Sequence, residues 1–275
     1  MENKIININS LFRDKNLFSN SGKFSINLNE TFKNIVYIKV SSLEVPFVFH
    51  SILENNNNNK FKIIVKGNSH EIIMGDGNYT SNTLIQFIAK KLEDINTSSI
   101  NIEFDINVIN GKFYFRGNVD FSLDFSRTGN QEYEGFKYYM GYSEDYYTGQ
   151  QEYNAESVVN VNPLSYFFLK INDIENISDL KVSNAFTKIT TGVGIYNYIF
   201  VGGTDYNSKD KVFRSPINLS KFDFELVDYL GNEINLFNND FSFTLELGYI
   251  YDKKLYQEIN NRGIPNGDIR LKFFY

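Results

Sequence analysis

The stretch KFDFELVDYLGNEINLFNNDFSFTLELGYIY, residues 221–251, carries the clearest structural signal in this chain. Apolar residues alternate with acidic ones over 222–226, and a longer alternation of apolar and polar residues runs over 241–251. Because successive side chains of a strand point to opposite faces, each segment has one apolar and one polar face. Gly231 and the Asn-Asn-Asp run 238–240 favour chain reversals between them. The stretch predicts two strands joined by a turn, with an apolar face that a second sheet must cover.

The composition is that of a folded, acidic protein. The chain has 275 residues, of which 42% are hydrophobic and 16% aromatic, enough for one domain with a sizeable core. Its formal net charge of -6 offers no basic face to phosphate groups, so nucleic acid is not an expected partner. The chain has no cysteine, which excludes disulfides and thiolate chemistry. No apolar run reaches the roughly 18 residues of a membrane span, and the first residues lack the apolar core of a signal peptide. We therefore expect a soluble protein without a transmembrane segment, synthesised in the cytosol.

Most of the chain shows the period of β-strands. One segment, residues 82–94, has the spacing of an amphipathic helix, with Thr80 or Ser81 as its cap. The pattern gives roughly eight to eleven strands with connections too long for a simple meander. It predicts an all-β fold, a single jelly-roll β-sandwich with one short inserted helix, an N-terminal arm and long loops. The main predicted strands are 23–28, 34–45, 61–65, 71–74, 100–109, 112–117, 119–125, 163–174, 185–190 and 194–200.

Three boundaries follow from changes in this pattern. Residues 1–22 mix short apolar runs with Ser, Asn, Asp and Gly, which predicts an extended N-terminal arm. The jelly-roll domain is expected over 23–251. Within it, about 126–162 lack a sustained period and are rich in Tyr, Gly and Glu, which indicates a long surface insertion. Residues 252–275 are expected to form a C-terminal tail or edge strand.

The chain carries little of the chemistry of an active site. Its only histidines, His50 and His70, lie on opposite sides of an asparagine run. They are too few for a metal barrel that needs several imidazoles, and no G-x-S-x-G motif accompanies either of them. The turn 76–80 begins like a calcium loop but lacks the downstream glutamate. We expect no catalytic residue, no metal site and no cofactor.

The tyrosine-rich insertion admits several interpretations. Tyrosine anchors many protein interfaces, so the leading interpretation is a surface that packs on a partner protein. A solvated loop, a sugar or calcium site, and a hydrolase with paired carboxylates stay open as alternatives. The tyrosines concerned are Tyr133, Tyr138, Tyr139, Tyr142, Tyr146, Tyr147 and Tyr153.

Several short segments, taken in order, resemble one protein family. The order is SLFRD (10–14), FSINL (24–28), IKVSSLEVP (38–46), NNKF (58–61), DGNYT (76–80), FSLDF (121–125), VDYLGNEINL (227–236) and NDFSFTLE (239–246). Together they resemble the jelly-roll minor capsid and vertex (penton) proteins of nucleocytoplasmic large DNA viruses and their virophages. The residues after Pro46 and the tyrosine-rich insertion depart from the pattern of this family. The chain is also too short for the double jelly roll of a major capsid protein.

The resemblance implies a structural protein of the virion, made in the host cytoplasm, with no enzymatic activity. It implies either a penton subunit or a minor capsid protein. The implied partners are the major capsid protein, minor capsid proteins and further copies of the chain, with a pentamer as one expected homo-oligomer. The expected assembly residues are Arg13, Asp14 and Phe18 of the arm, together with the seven tyrosines. The alternative function is that of a carbohydrate- or receptor-binding β-sandwich.

Overall fold

The computed structural model describes residues 2–127, 134–161, 164–202, 210–251 and 254. The chain divides into two compact units. The first unit comprises the described residues up to Phe49 and from Leu164 onward, and the second comprises those within His50–Pro163. The second unit is therefore an insertion in the sequence of the first.

Strands dominate both units. In chain order they are β1 (Glu2–Asn9), β2 (Lys23–Pro46), β3 (Lys60–Val65), β4 (Asn68–Ile73), β5 (Ile102–Asn107), β6 (Lys112–Asp124), β7 (Tyr146–Asn154), β8 (Tyr166–Ile171), β9 (Ala185–Thr190), β10 (Tyr198–Val201), β11 (Asp210–Val227) and β12 (Ser242–Tyr249). The α-helices of the described residues are α1 (Ser81–Glu93) and α2 (Phe136–Met140), and short 3-10 turns lie at Ser10–Phe12 and Glu54–Asn56. The predicted all-β fold class is confirmed.

Strand β2 is the centre of the sheet in the first unit. The strand order is β1-β12-β2-β11-β8-β9, β10 also pairs with β2, and all pairs are antiparallel. The prediction that the strands at 222–226 and 241–251 form a pair joined by a turn is wrong, because β2 lies between β11 and β12. The consecutive residues Ile35, Val36, Tyr37 and Ile38 are all buried. A strand that is apolar on both faces needs cover on both sides, so it takes the central position.

Strand β2 runs without interruption across residues 29–33, although the sequence pattern predicted a gap there between two strands. Asn34 has a φ of 60°, in the left-handed region that asparagine tolerates better than most residues. Its backbone N–H donates to Oδ1 of Asn218 in β11, at 2.9 Å. The register between the two strands shifts between Val212 and Ile217, around Pro216, which lacks an N–H for the ladder. The bend therefore redirects β2 without ending it.

The core of the first unit is rich in phenylalanine. The predicted alternation in β11 is confirmed, since Phe222, Phe224 and Leu226 are all buried. The Phe24 ring of β2 lies 5.3 Å from the Phe224 ring and 5.7 Å from the Phe241 ring, between centroids. Rings at these separations pack favourably beyond the area that they bury. Residues of β8, β9, β10 and β12 share this core.

The second unit has a core of its own. Its antiparallel sheet has the order β4-β3-β6-β5, and β7 pairs with β6. Helix α1 contributes Leu84, Ile88 and Leu92 to the core, which confirms its predicted apolar face. The hydroxyl of Thr80 accepts a hydrogen bond from the N–H of Thr83 and caps the helix. A turn with Gly111 at a φ of 68° joins the antiparallel strands β5 and β6.

These units differ from the domain bounds expected from the sequence. Residues Glu2–Asn9 form strand β1, whose every residue pairs with β12, because their alternation suits the edge of the sheet better than a free arm. A second unit with its own core, within 50–163, was not expected from the sequence, and the predicted surface insertion of about 126–162 falls inside it. The predicted tail 252–275 lies outside the described residues except for Lys254. The roles given to arm, jelly roll and tail stay predictions.

Gly248 occupies a position in the sheet of the first unit that leaves no room for a side chain. The Tyr37 ring of β2 lies over Gly248 of β12, in the space that a Cβ would occupy, and its hydroxyl donates to Glu246. Gly248→Ala should therefore lower the free energy of unfolding by about 1–3 kcal/mol through overpacking. Urea unfolding curves check this, with Gly192→Ala as the control because no atom lies within 4 Å of its added Cβ. Equal stability of the two variants would contradict the packing of Tyr37.

Candidate assembly surfaces

The described residues contain no group of three or more His, Cys, Asp or Glu side chains that could hold a metal ion. Burial lowers the pKa of His50, an effect that the nearby Asp76 partly opposes. Among the helices that the structure describes, none is long and apolar enough to cross a membrane.

The side chain of Arg13 is directed inward, so its predicted place on a partner surface is wrong. It is 4% exposed, and Nη1 donates to Oδ1 of Asp240 at 2.5 Å. Further donations reach the carbonyl oxygens of Ser10, Phe18 and Ser19 at 2.9, 3.0 and 3.3 Å. A buried guanidinium is stable only when its donors are satisfied in this way. Arg13 therefore fastens the segment after β1 to the start of β12.

Asp14 and Phe18 organise the same segment. The carbonyl oxygen of Asp14 accepts from the N–H groups of Leu17 and Phe18, at 3.1 and 2.9 Å. Oδ1 of Asp14 accepts from the N–H of Asn16, and the side chain of Asp14 is exposed. Phe18 is partly buried against the core of the first unit. Of the three predicted arm residues, Asp14 is the one whose side chain is free to contact a partner.

Three of the predicted tyrosines belong to the core of the second unit. Tyr139, Tyr142 and Tyr153 are 3%, 3% and 5% exposed, so their rings are not a partner surface. The hydroxyl of Tyr142 donates to the carbonyl of Tyr153 at 2.9 Å, and that of Tyr153 donates to the carbonyl of Phe121 at 2.6 Å. Burial raises the pKa of Tyr142. Amphipathic rings pack inward here because each hydroxyl has a buried acceptor.

The other tyrosines of the segment are more accessible. Tyr138 and Tyr146 are exposed. Tyr147 is half-buried, and its hydroxyl donates to Glu156 at 2.8 Å. Tyr133 lies outside the described residues. Among the described tyrosines the partner-surface hypothesis therefore rests mainly on Tyr138 and Tyr146, and the burial of Tyr139, Tyr142 and Tyr153 removes much of the basis for a sugar-binding face.

An exposed apolar cluster that sequence reasoning missed follows strand β1. We call Leu11, Phe12 and Leu17 the apolar knob; they are 48%, 78% and 74% exposed. The sequence predicted an extended arm here that takes part in assembly, but the residues expected to do so were Arg13, Asp14 and Phe18. The apolar residues at positions 11, 12 and 17 could have indicated this surface, but they lie among Ser, Asn and Asp residues that are typical of loops.

A groove lies at the opposite end of the β1–β12 pair, beside the end of β12. It has a volume of about 330 Å³ and combines apolar rings with charged side chains. The Nζ of Lys4 lies 4.2 Å from the centroid of the Phe32 ring, a cation–π contact. We call it the apolar groove after its aromatic residues, although polar side chains form about half of its lining and Ile250 at its base is buried. Its lining includes Phe32, Tyr249, Ile250 and Tyr251, with Lys4, Glu30 and Lys33.

Two further apolar surfaces are present. Strand β10 places the side chains of Tyr198 and Phe200 outward, next to the exposed Tyr196. In the second unit, Val108 and Ile109 are exposed at the turn between β5 and β6. Large apolar side chains exposed in clusters are typical of interaction surfaces.

A second groove in the first unit is polar and internally neutralised. It has a volume of about 500 Å³. Lys23 and Lys170 both contact Glu225, at 2.8 and 3.1 Å, and Lys221 contacts Asp223 at 2.7 Å. Hydrogen bonds to these lysines lower the pKa of Glu225, against the effect of its burial. Because these charges pair with one another, the groove offers little to a charged ligand.

The ion pair between Arg13 and Asp240 can be tested by substitution. Arg13→Ala leaves the partly buried Asp240 without its cation and should lower the free energy of unfolding by about 3 kcal/mol or more. Arg13→Lys should recover part of this loss, because lysine restores the charge but not the planar fork. Urea unfolding measures both, with exposed Lys15→Ala as the control. A loss no larger than that of the control would contradict the role of the ion pair.

The different burial of Tyr142 and Tyr146 predicts different effects of their substitution on stability. Tyr142→Ala opens a cavity in the core of the second unit and should reduce its stability by about 3–5 kcal/mol. Tyr146→Ala, at an exposed position, should change stability by less than about 0.5 kcal/mol. Thermal unfolding compares the pair. Similar small changes in both variants would show that Tyr142 is not a core residue.

Comparison with known proteins supports the fold. No protein-family model and no curated protein matches this sequence. Among solved structures, the chain is similar to the crystal structure of the selenomethionine-labelled mavirus penton protein. The TM-score is 0.52 at 11% sequence identity, over 90% of this chain and 100% of the penton chain. At this identity the likeness concerns the fold alone, and it supports an all-β sandwich of the jelly-roll kind.

Proposed function

We propose that this chain is a structural capsid protein of an icosahedral DNA virus, as a penton subunit or a minor capsid protein. The observation that carries the proposal is the match to the mavirus penton protein over 90% of the chain. The family resemblance of the sequence segments points the same way. The proposed role is non-enzymatic and places the chain in the virion.

The physical properties of the first unit suit this role. Its phenylalanine-rich core makes a rigid body, and its margins display apolar side chains that the core does not use. Repeated contacts between such margins build a closed assembly when the rotation between copies closes. Each contact of standard size buries about 800 Å² per partner. Many such contacts together give a stable shell.

The penton assignment predicts a specific assembly. The full chain, purified at several concentrations, should give a native mass five times the 31.9 kDa of one chain. Electron microscopy of that species should show rings with fivefold symmetry. A chain that stays monomeric up to high concentration, or forms only dimers, would contradict the penton assignment.

Membership of the capsid has a separate test. Mass spectrometry of particles purified from infected cells should detect the chain in a fixed ratio to the major capsid protein. A non-structural viral protein measured in the same preparations is the control for contamination. If the chain is no more abundant than that control, the capsid function fails.

A further inference from the structure

The apolar knob is held rigidly by the chain that surrounds it. Oδ1 of Asn9 accepts from the N–H of Leu11 at 2.8 Å on one side of Phe12. On the other side, the buried side chain of Arg13 donates to backbone carbonyl oxygens before and after the knob and so fixes the backbone of this loop. Loops whose apolar residues serve only the fold turn them inward, whereas this loop presents Phe12 and Leu17 to solvent. A rigid, exposed apolar cluster loses little entropy on binding, as expected of a preformed interaction surface.

The apolar groove has the chemistry to receive such a cluster. Its aromatic walls include Tyr251, which is 75% exposed, and its volume of about 330 Å³ is sufficient for an aromatic side chain. Tyr249 is fixed by a hydrogen bond from its hydroxyl to Glu2, at 2.6 Å. The groove is therefore a preformed surface as well.

Geometry prevents the knob from filling the groove of its own chain. The knob follows the end of β1 at Asn9, and the groove lies beside Lys4 near its start. At about 3.3 Å per residue, roughly 17 Å of strand separates the two. The knob of one copy, however, can enter the groove of the next. Such a contact joins two different surfaces, so it is heterologous and generates rings when the rotation closes.

Charge complements the apolar match. The exposed carboxylate of Asp14 stands beside the knob, and the exposed ammonium of Lys33 lines the groove. Neither forms an ion pair within the described part of the chain. A head-to-tail contact pairs them across the interface. The complementarity therefore favours a second copy in a head-to-tail arrangement.

We propose that copies of this chain associate head to tail, with the apolar knob of one copy (Leu11, Phe12 and Leu17) seated in the apolar groove of its neighbour (Phe32, Tyr249, Ile250 and Tyr251). The proposal rests on the proposed capsid function, for which it names the contact between subunits. Asp14 of one copy pairs with Lys33 of the next.

The absence of cysteine from the chain gives a direct test. The full-length double variant Phe12→Cys/Tyr251→Cys, mildly oxidised and separated without reductant, should form a ladder of disulfide-linked multimers. Phe12→Cys alone and Tyr251→Cys alone should each stay monomeric, because a ladder could otherwise arise from two self-complementary contacts that alternate along the chain of copies. The matched control is Leu180→Cys/Tyr251→Cys, since Leu180 is fully exposed elsewhere in the first unit and should give no ladder.

Several outcomes would overturn the proposal. Dimers from Phe12→Cys alone would show a knob-to-knob contact. A double variant that stays monomeric would show that the groove is empty or is filled by residues 255–275 of its own chain. An equal ladder from the Leu180 control would show that the cross-linking reports random collisions.

A charge exchange tests the same contact in the absence of cysteine. Asp14→Lys and Lys33→Asp should each raise the dissociation constant of the oligomer about threefold or more, as expected for loss of an ion pair and gain of a repulsion. The double variant should restore the original constant in analytical ultracentrifugation. Failure of the double variant to recover overturns the pairing.

The results separate this contact from the proposed function. Fivefold rings that form without the knob-to-groove cross-link would overturn the contact and leave the penton assignment intact. A knob-to-groove ladder from a chain that purified particles lack would support the contact and overturn the capsid function.

Discussion

The first unit depends on the part of strand β2 that follows Asn34, where Ile35–Ile38 are buried on both faces and the strand pairs along both edges. Strand β11 and then β10 pair with it on one side, and β12 pairs with it on the other. Every backbone group of a central strand needs such a partner, because an unpaired buried N–H or C=O is costly. The sheet cannot lose β11 or β12 without exposing β2, so distant segments of sequence must meet. Before the left-handed residue Asn34, β11 is the strand among those described that pairs with β2, so the same strand adds its first residues to the sheet at one edge.

The sequence predicted the existence of most strands and the fold class, but not the pairing of the strands. Alternation reports that one face of a segment is buried, as it did for Phe222, Phe224 and Leu226. It carries no information about which strand lies at the hydrogen-bonded edge. The choice between β12 and β2 as the neighbour of β11 therefore had to come from three-dimensional packing. The same limit applies to Glu2–Asn9, whose weak alternation became an edge strand only because β12 offered a free edge.

The candidate surfaces were harder to predict than the fold. The tyrosine segment has no regular period, so nothing in its sequence distinguishes the buried Tyr142 from the exposed Tyr146. Burial there depends on acceptors that other parts of the second unit supply, such as the carbonyl of Phe121 for Tyr153. The knob was missed for the opposite reason, because its apolar residues stand among residues typical of loops. Interface composition alone predicts that partner surfaces exist, whereas burial decides which residues form them.

Arg13 and Phe12 show why the knob is hard to explain by folding alone. Adjacent in sequence, they reverse the usual preference: the charged side chain is buried and the aromatic one is exposed. Burying a guanidinium carries a desolvation penalty that its ion pair offsets only with further hydrogen bonds, and exposing phenylalanine forgoes the free energy of its burial. A loop selected only for stability would turn the two residues the other way. The hydrogen bonds of Arg13 to Asp240 and to three carbonyl oxygens hold the loop in the conformation that projects Phe12. The arrangement therefore makes physical sense when the surface that buries Phe12 belongs to another molecule.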